Sequence, residues 1–502
     1  MIAEAAKENW EESKAPDWWK IGDGVMLLAY TGVVLWTVGY HEKWADEAQA
    51  WLIARDLDLR TIWFHELRYE GSPGLWHTIL WIAQHVFHVG YDSLGYIGVA
   101  FAIAGAAVLL FKAPFPRIVR WPLAFTYVLI YQYAVIARPY TLLPLLAFCA
   151  AHFFKETKHP ERITLVLILL ASLTSHGAIL SACLGLGYLV EAWRSWPELE
   201  TGVRRRYWAC IALFALTFLF LFLIVKPTPD VQEIVVKREM ALAPQAVKDA
   251  YPSVFRKLTA VVSGAFLDYW VPSVVFVLLA GAWCFTRRKF LTFALPVGVL
   301  IGFYGAVYGA AHHHGTVFIA AVTGLWIAWP TAEQESRFTA REGWLTRGMV
   351  AAQLCLCFVN IWDAAVVIKR EYLYPYSGAL DAANYLKAVG ADRGPMFGFL
   401  HGVVGVQAYF DHNLFANIPT AYFHRGLPLD GTALDVQQLQ RIRPEYIVAY
   451  SSNPQMMLEI GIPQLTSRGY ELVHFSDGYY LYKRSVAERE VYFILRRVRA
   501  RE

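Results

Sequence analysis

The stretch DSLGYIGVAFAIAGAAVLLF, residues 92–111, carries a single ionisable side chain other than tyrosine, Asp92, and that at its first position. At a rise of about 1.5 Å per residue it is about 30 Å long as a helix, which matches the hydrocarbon thickness of a bilayer. Comparable runs recur from Val25 to Val367, separated by short polar or basic stretches. We place helices over 23–40, 92–111, 119–136, 139–154, 162–175, 177–193, 207–225, 270–286, 290–309, 315–330 and 347–368. The fold class expected is therefore an α-helical polytopic membrane protein with about eleven transmembrane helices. The composition agrees, at 57% hydrophobic and 17% charged residues, where soluble domains carry about 25% charged. The segment 74–89 is short and holds His77, Gln84, His85 and His88, so it reads as a helix lying at the interface.

Beyond Lys369 the apolar runs stop. Residues 369–502 read as a soluble α/β domain, with helical spacing over 378–388 and strand-like runs at 446–450, 472–475 and 479–482. Residues 1–368 form the membrane domain, with a first outer loop at 41–91 and a long outer loop at 226–269. All six cysteines lie in apolar stretches, which excludes a disulfide framework. The polar first twenty residues lack the pattern of a cleaved signal peptide.

A formal net charge of +4 gives no ground for nucleic-acid binding; the position of the charges is informative instead. Lys112, Arg117 and Arg120, then Lys155, Lys158 and Arg162, then Arg194 and Arg204 to Arg206, then Arg287 to Lys289, then Arg337, Arg341 and Arg347 fall in alternate connections. Basic residues accumulate in cytoplasmic loops. The opposite connections and the C-terminal domain are thus expected outside a multi-pass inner (plasma) membrane protein, facing the periplasm or exterior.

Those outer segments hold the residues suited to chemistry. Asp46 and Glu47 directly follow the first apolar helix, and an acidic pair at a helix mouth suits general-base work. Residues 67–77, LRYEGSPGLWH, set Glu70, Tyr69 and His77 around a Gly/Pro turn. These two motifs, with the ARPY turn at 137–140, resemble the polyprenyl-phosphate-dependent GT-C glycosyltransferases, in particular the protein O-mannosyltransferase and lipid A aminoarabinose transferase group. The resemblance implies an inverting transfer of a sugar from a polyprenyl-phosphate donor to a glycan, lipid or protein acceptor. It implies Asp46 as the base, with Glu47 completing the pair and Glu70 beside them. No nucleotide site is needed, in keeping with the lack of a Gly-rich phosphate loop.

A leaving phosphate needs outer-face cations. The candidates are Arg138, Lys226, Lys237, Arg238, Arg256, Lys257 and the run His312, His313 and His314. Relatives tend to place Lys or Arg where this chain has the histidines. Trp44, Tyr69, His77 and His176 are the expected substrate contacts. Two rival readings stand beside this one. The histidines, with His41, His65, His77 and His176, suggest a divalent metal and a metal-dependent phospho-transferase. A transporter or flippase of lipid-linked glycans is the other, although no internal repeat or intramembrane charge pattern supports it. In the C-terminal domain Asp411, His412, Asn413, His424 and Arg425 are candidate acceptor contacts.

Overall fold

The structure, a computed structural model, describes residues 17–229, 254–306, 310–423 and 436–498. The chain enters through α1 (Asp17–Val38), makes two helices beyond its end, α2 (Ala45–Asp56) and α3 (Leu75–His85), and returns through α4 (Leu94–Lys112). Then follow α5 (Arg117–Ala124), α6 (Leu143–Phe153), α7 (Pro160–Ala171), α8 (Ser175–Arg194) and α9 (Thr201–Val225). The membrane domain closes with α10 (Val254–Ala265), α11 (Trp270–Thr286), α12 (Phe290–Ala306), α13 (His314–Ala328) and α14 (Ala340–Leu373).

Among the described residues, four stretches, Ile21–Val38, Tyr91–Lys112, Thr201–Val225 and Ala340–Leu373, are long and apolar enough to cross a bilayer. The pair α10 and α11 is long and apolar enough only when taken together, and it is bent by 72° at its break. The other expected spans are also helical: α8 runs unbroken over 20 residues, and the rest are shorter or interrupted pieces. The segment 119–136 breaks after Ala124 and resumes as a π-turn at Val128–Gln132. Burial arranges these helices from edge to centre. Only 11% of the apolar window of α9 is buried inside the protein, whereas every residue of α13 is buried. An apolar helix with an uncovered surface needs a lipid solvent, and one buried all round is the core of a bundle.

Two expectations change here. The long outer loop 226–269 contains α10, whose Val261, Val262 and Ala265 are buried; its charged start, Arg256 and Lys257, hides an amphipathic period from a search for uniform apolarity. The first outer loop is likewise mostly helix. In α2, Ala48, Leu52, Ile53 and Ala54 are fully buried, and α2 packs on α3. At 11 residues α3 is too short to span, in keeping with its histidines.

Beyond α14 come α15 (Ala379–Ala388) and strands β1 (Met396–Phe399), β2 (Tyr446–Ser451), β3 (Tyr470–Ser476), β4 (Tyr479–Tyr482), β5 (Ser485–Arg489) and β6 (Val491–Arg497). The sheet order is β1-β2-β6-β3, with β1 parallel to β2 and the other pairs antiparallel. Val448 and Ile494 pack toward α15, while Ile447 and Phe493 pack with Met457 and Leu465 on the other face. β4 and β5 form a separate hairpin.

A close approach of two helices tests this packing. A Cβ on Gly324 of α13 would lie 2.8 Å from Phe293 Cα and 2.9 Å from the Thr292 carbonyl, both backbone of α12. Gly298 on α12 has nothing within 4 Å. Gly324→Ala should lower the melting temperature in detergent, by an overpacking cost of about 1–3 kcal/mol, while Gly298→Ala should not. Equal melting curves would contradict the α12–α13 contact.

Candidate active site

The site grows from the start of α2. Glu47 occupies the third helical position, and its Oε2 accepts the Trp44 amide at 3.2 Å, which satisfies a free N–H of the first turn. The same oxygen lies 3.0 Å from His41 Nε2, and Glu47 Oε1 accepts the Ala137 amide at 2.7 Å. The other nitrogen of His41, Nδ1, is 2.7 Å from Glu371 Oε1 near the end of α14. The Tyr131 hydroxyl donates to the remaining oxygen of Glu371. His41, Glu47 and Glu371 are all buried. Burial disfavours a charged His41, but Glu47 and Glu371 outweigh it and raise its pKa to about 10. A protonated ring then donates both N–H groups, one to each carboxylate.

This triad fixes the residues on either side of a cavity. Asp46 precedes Glu47, and Arg138 follows Ala137. Arg138 Nη2 sits 3.0 Å from Asp46 Oδ2, with 45% of the Asp46 side chain exposed. The guanidinium lies 5.4 Å from the Trp44 ring centre and 5.6 Å from that of Tyr140. Its Nη1 is buried without a hydrogen-bond partner, so half of the fork is uncommitted.

The cavity has a volume of about 410 Å³. Asp46 and Arg138 line it, together with Glu70, Gly71, Trp76 and His77 and with Tyr140, His176, His312 and His313. Glu70 Oε1 accepts from Gln49 Nε2 at 3.0 Å. Gln49 also exchanges two hydrogen bonds with the Phe423 backbone, at 2.7 and 2.8 Å, which ties α2 to the C-terminal domain. Gly71, at φ +63, takes the left-handed turn after Glu70 that sends the chain into α3. His77 is 4% exposed, and neither ring nitrogen has a partner.

The histidine wall carries no formal charge. His312 is pushed far below the usual range by burial and then by Arg138 and its neighbouring histidines; His313 follows for the same reasons. The His313 and His176 ring centres are 4.5 Å apart with the planes tilted by 42°, and His176 Nδ1 is 3.1 Å from the Tyr140 hydroxyl. Among the described residues lining the cavity, Arg138 is thus the only fixed cation.

Of the residues singled out by sequence, Asp46, Glu70, Arg138, His77, His176, His312 and His313 share this cavity. The others sit elsewhere. Glu47 lies beneath the wall, held by His41 and the Ala137 amide, and does not reach the cavity. Trp44 backs Arg138 without lining the space, and Tyr69 is half-buried outside it. His314 turns away, its Nδ1 3.3 Å from the Tyr482 hydroxyl. Arg256 and Lys257 lie on α10 and line no part of the cavity. Lys237, Arg238, His424 and Arg425 fall outside the described residues. His41 is committed to its carboxylates and His65 is exposed. Among the described residues no group of three or more His, Cys, Asp or Glu is arranged to hold a metal ion. Gln49 and Tyr140 are wall residues that the sequence does not single out. Tyr140 stands inside the ARPY turn, whereas Gln49 carries no local signal.

No family model matches the sequence, and no curated protein matches it. Two solved structures share the fold. ArnT from Cupriavidus metallidurans bound to undecaprenyl phosphate superposes with a TM-score of 0.56 at 13% identity, over 95% of this chain and 98% of that one. The apo state of the same protein gives 0.51 at 14% identity over the same shares. The likeness is one of fold.

The triad makes stability depend on pH. The folded pKa of His41 lies above its unfolded value, so the stabilisation is complete below about pH 6.5 and is lost as pH rises toward about 10. Wild type should lose more thermal stability between pH 7 and 10 than His41→Gln, which should be less stable than wild type at pH 7. Parallel curves would show that His41 is uncharged.

Proposed function

We propose that this chain is a glycosyltransferase that moves a sugar from a polyprenyl-phosphate donor to an acceptor on the outer side of the membrane. In this reading residues 1–368 form an eleven-span catalytic domain in the inner (plasma) membrane, and residues 369–502 an extracytoplasmic domain. The observation that carries the proposal is the pairing of Asp46 with a half-committed Arg138 at the wall of one large cavity. The fold adds support, being that of a protein crystallised with undecaprenyl phosphate. The positive-inside distribution of Lys and Arg supports an outward site.

A lipid-linked sugar phosphate is already activated, so the protein must supply a base at the acceptor and positive charge at the leaving group. The donor phosphate approaches the Arg138 guanidinium and competes with Asp46 for Nη2. Asp46, released from its cation, becomes a stronger base and takes the proton of the acceptor hydroxyl. That oxygen forms the new bond to the anomeric carbon as the carbon–oxygen bond to phosphate breaks, and the electron pair leaves with the phosphate. A single displacement of this kind inverts the anomeric centre. Glu70 orients sugar hydroxyls, because its side chain lines the cavity.

The test uses purified protein, a panel of polyprenyl-phosphate sugars and undecaprenyl phosphate as the binding probe. Asp46→Asn should lower transfer by about 10²–10⁴-fold and leave undecaprenyl phosphate binding intact or tighter. Arg138→Gln should weaken binding itself, and Glu70→Gln should lower transfer without weakening binding. Full transfer by both Asp46→Asn and Arg138→Gln would overturn the assignment.

A further inference from the structure

The β4–β5 hairpin belongs to the C-terminal domain, yet it reaches into the membrane domain. Tyr480 on β4 places its hydroxyl 3.4 Å from His312 Nδ1, and Tyr482 places its own 3.3 Å from His314 Nδ1. Alternate residues of a strand share one face, so a single face of β4 meets both ends of the histidine run. The Tyr480 ring also packs 4.8 Å from Trp44 and 5.4 Å from Tyr376. At the hairpin tip Lys483 pairs with Asp268, and Arg484 Nε lies 2.9 Å from Asp363 on α14. Asp363 is fully buried and Lys483 nearly so. Breaking one partner of a buried charge pair is costly, so the tip is fastened. At the far end Glu490 accepts the Ala45 amide at 3.0 Å, which joins the hairpin to the first residue of α2.

We propose that this hairpin is a positioning device for the catalytic chamber: Tyr480 donates to His312 Nδ1 and fixes the ring in the tautomer that presents Nε2–H to the cavity. This rests on the cavity being the donor-phosphate site. A neutral imidazole has one N–H, and without the phenol the proton is free to sit on either nitrogen. With it, His312 is always a donor, and it adds an uncharged hydrogen bond to phosphate beside Arg138. Tyr480 is a positioning residue because it acts through His312; it does not line the cavity.

The experiment is conservative. Tyr480→Phe removes one hydroxyl and leaves the ring packing in place. Histidine ¹⁵N spectra, with His312 assigned by loss of its signals in His312→Gln, read the tautomer directly. Wild type should show the proton on Nε2 alone, and Tyr480→Phe should show a mixture. Lys483→Met, which loosens the tip, should give the same mixture. Undecaprenyl phosphate affinity should fall about twofold in Tyr480→Phe for an even mixture, in proportion to the Nε2–H fraction, at an unchanged melting temperature. A single His312 tautomer common to all three proteins overturns the hairpin's role, whatever binds. Wild type that shows the expected tautomers yet fails to bind undecaprenyl phosphate overturns the donor reading and leaves the hairpin's role standing.

Discussion

A protonated histidine clamped between two buried carboxylates holds this site together. His41 draws Glu47 from the start of α2 and Glu371 from the end of α14 onto one ring. Glu47 extends the clamp to the Ala137 amide. The two residues that face the cavity, Asp46 and Arg138, are each one peptide bond from an anchored group. Their separation therefore follows from the triad and not from their own pairing. The pairing alone would be weak, because Asp46 is nearly half exposed and solvent screens such pairs. Buried charges left without partners are unfavourable, so the triad is expected to hold as a unit or fail as one.

Electrostatics divides the cavity into unlike walls. Arg138 supplies the positive charge, and Asp46 and Glu70 supply the carboxylates. The histidines, which composition alone would suggest as cations for phosphate, are driven neutral by burial and by Arg138. They act as oriented dipoles instead. A phosphate entering such a site must take charge from Arg138, and in doing so it loosens the hold of Arg138 on Asp46. In the proposed reaction, donor binding and activation of the base are then one event.

Much of this architecture is legible in local patterns of the sequence. The apolar runs locate the helices, and the strands at 446–451 and 479–482 follow from residue type. Asp46 and Glu70, from one connection, and Arg138 and His313, from two others, meet at one cavity. What the sequence hides has a common cause. Glu47 resembles a second catalytic carboxylate, because nothing local shows that Glu371, far along the chain, holds the histidine that buries it. Helix α10 is concealed inside a polar loop because its buried face is only Val261, Val262 and Ala265. His314 looks equivalent to His313, but the start of α13 turns successive side chains apart. The engagement of the C-terminal hairpin with the histidine run is illegible for the same reason, since Tyr480 and Tyr482 meet His312 and His314 only through the tertiary fold.

The central claim is that a lipid-linked phosphate binds between Arg138 and the histidine wall and frees Asp46. An experimental structure of the protein with undecaprenyl phosphate in nanodiscs addresses it directly. The account requires phosphate density within hydrogen-bond distance of the Arg138 guanidinium, with the Asp46 carboxylate no longer paired to Nη2. Phosphate density away from Arg138, or an undisturbed Asp46–Arg138 pair beside a bound phosphate, would contradict it.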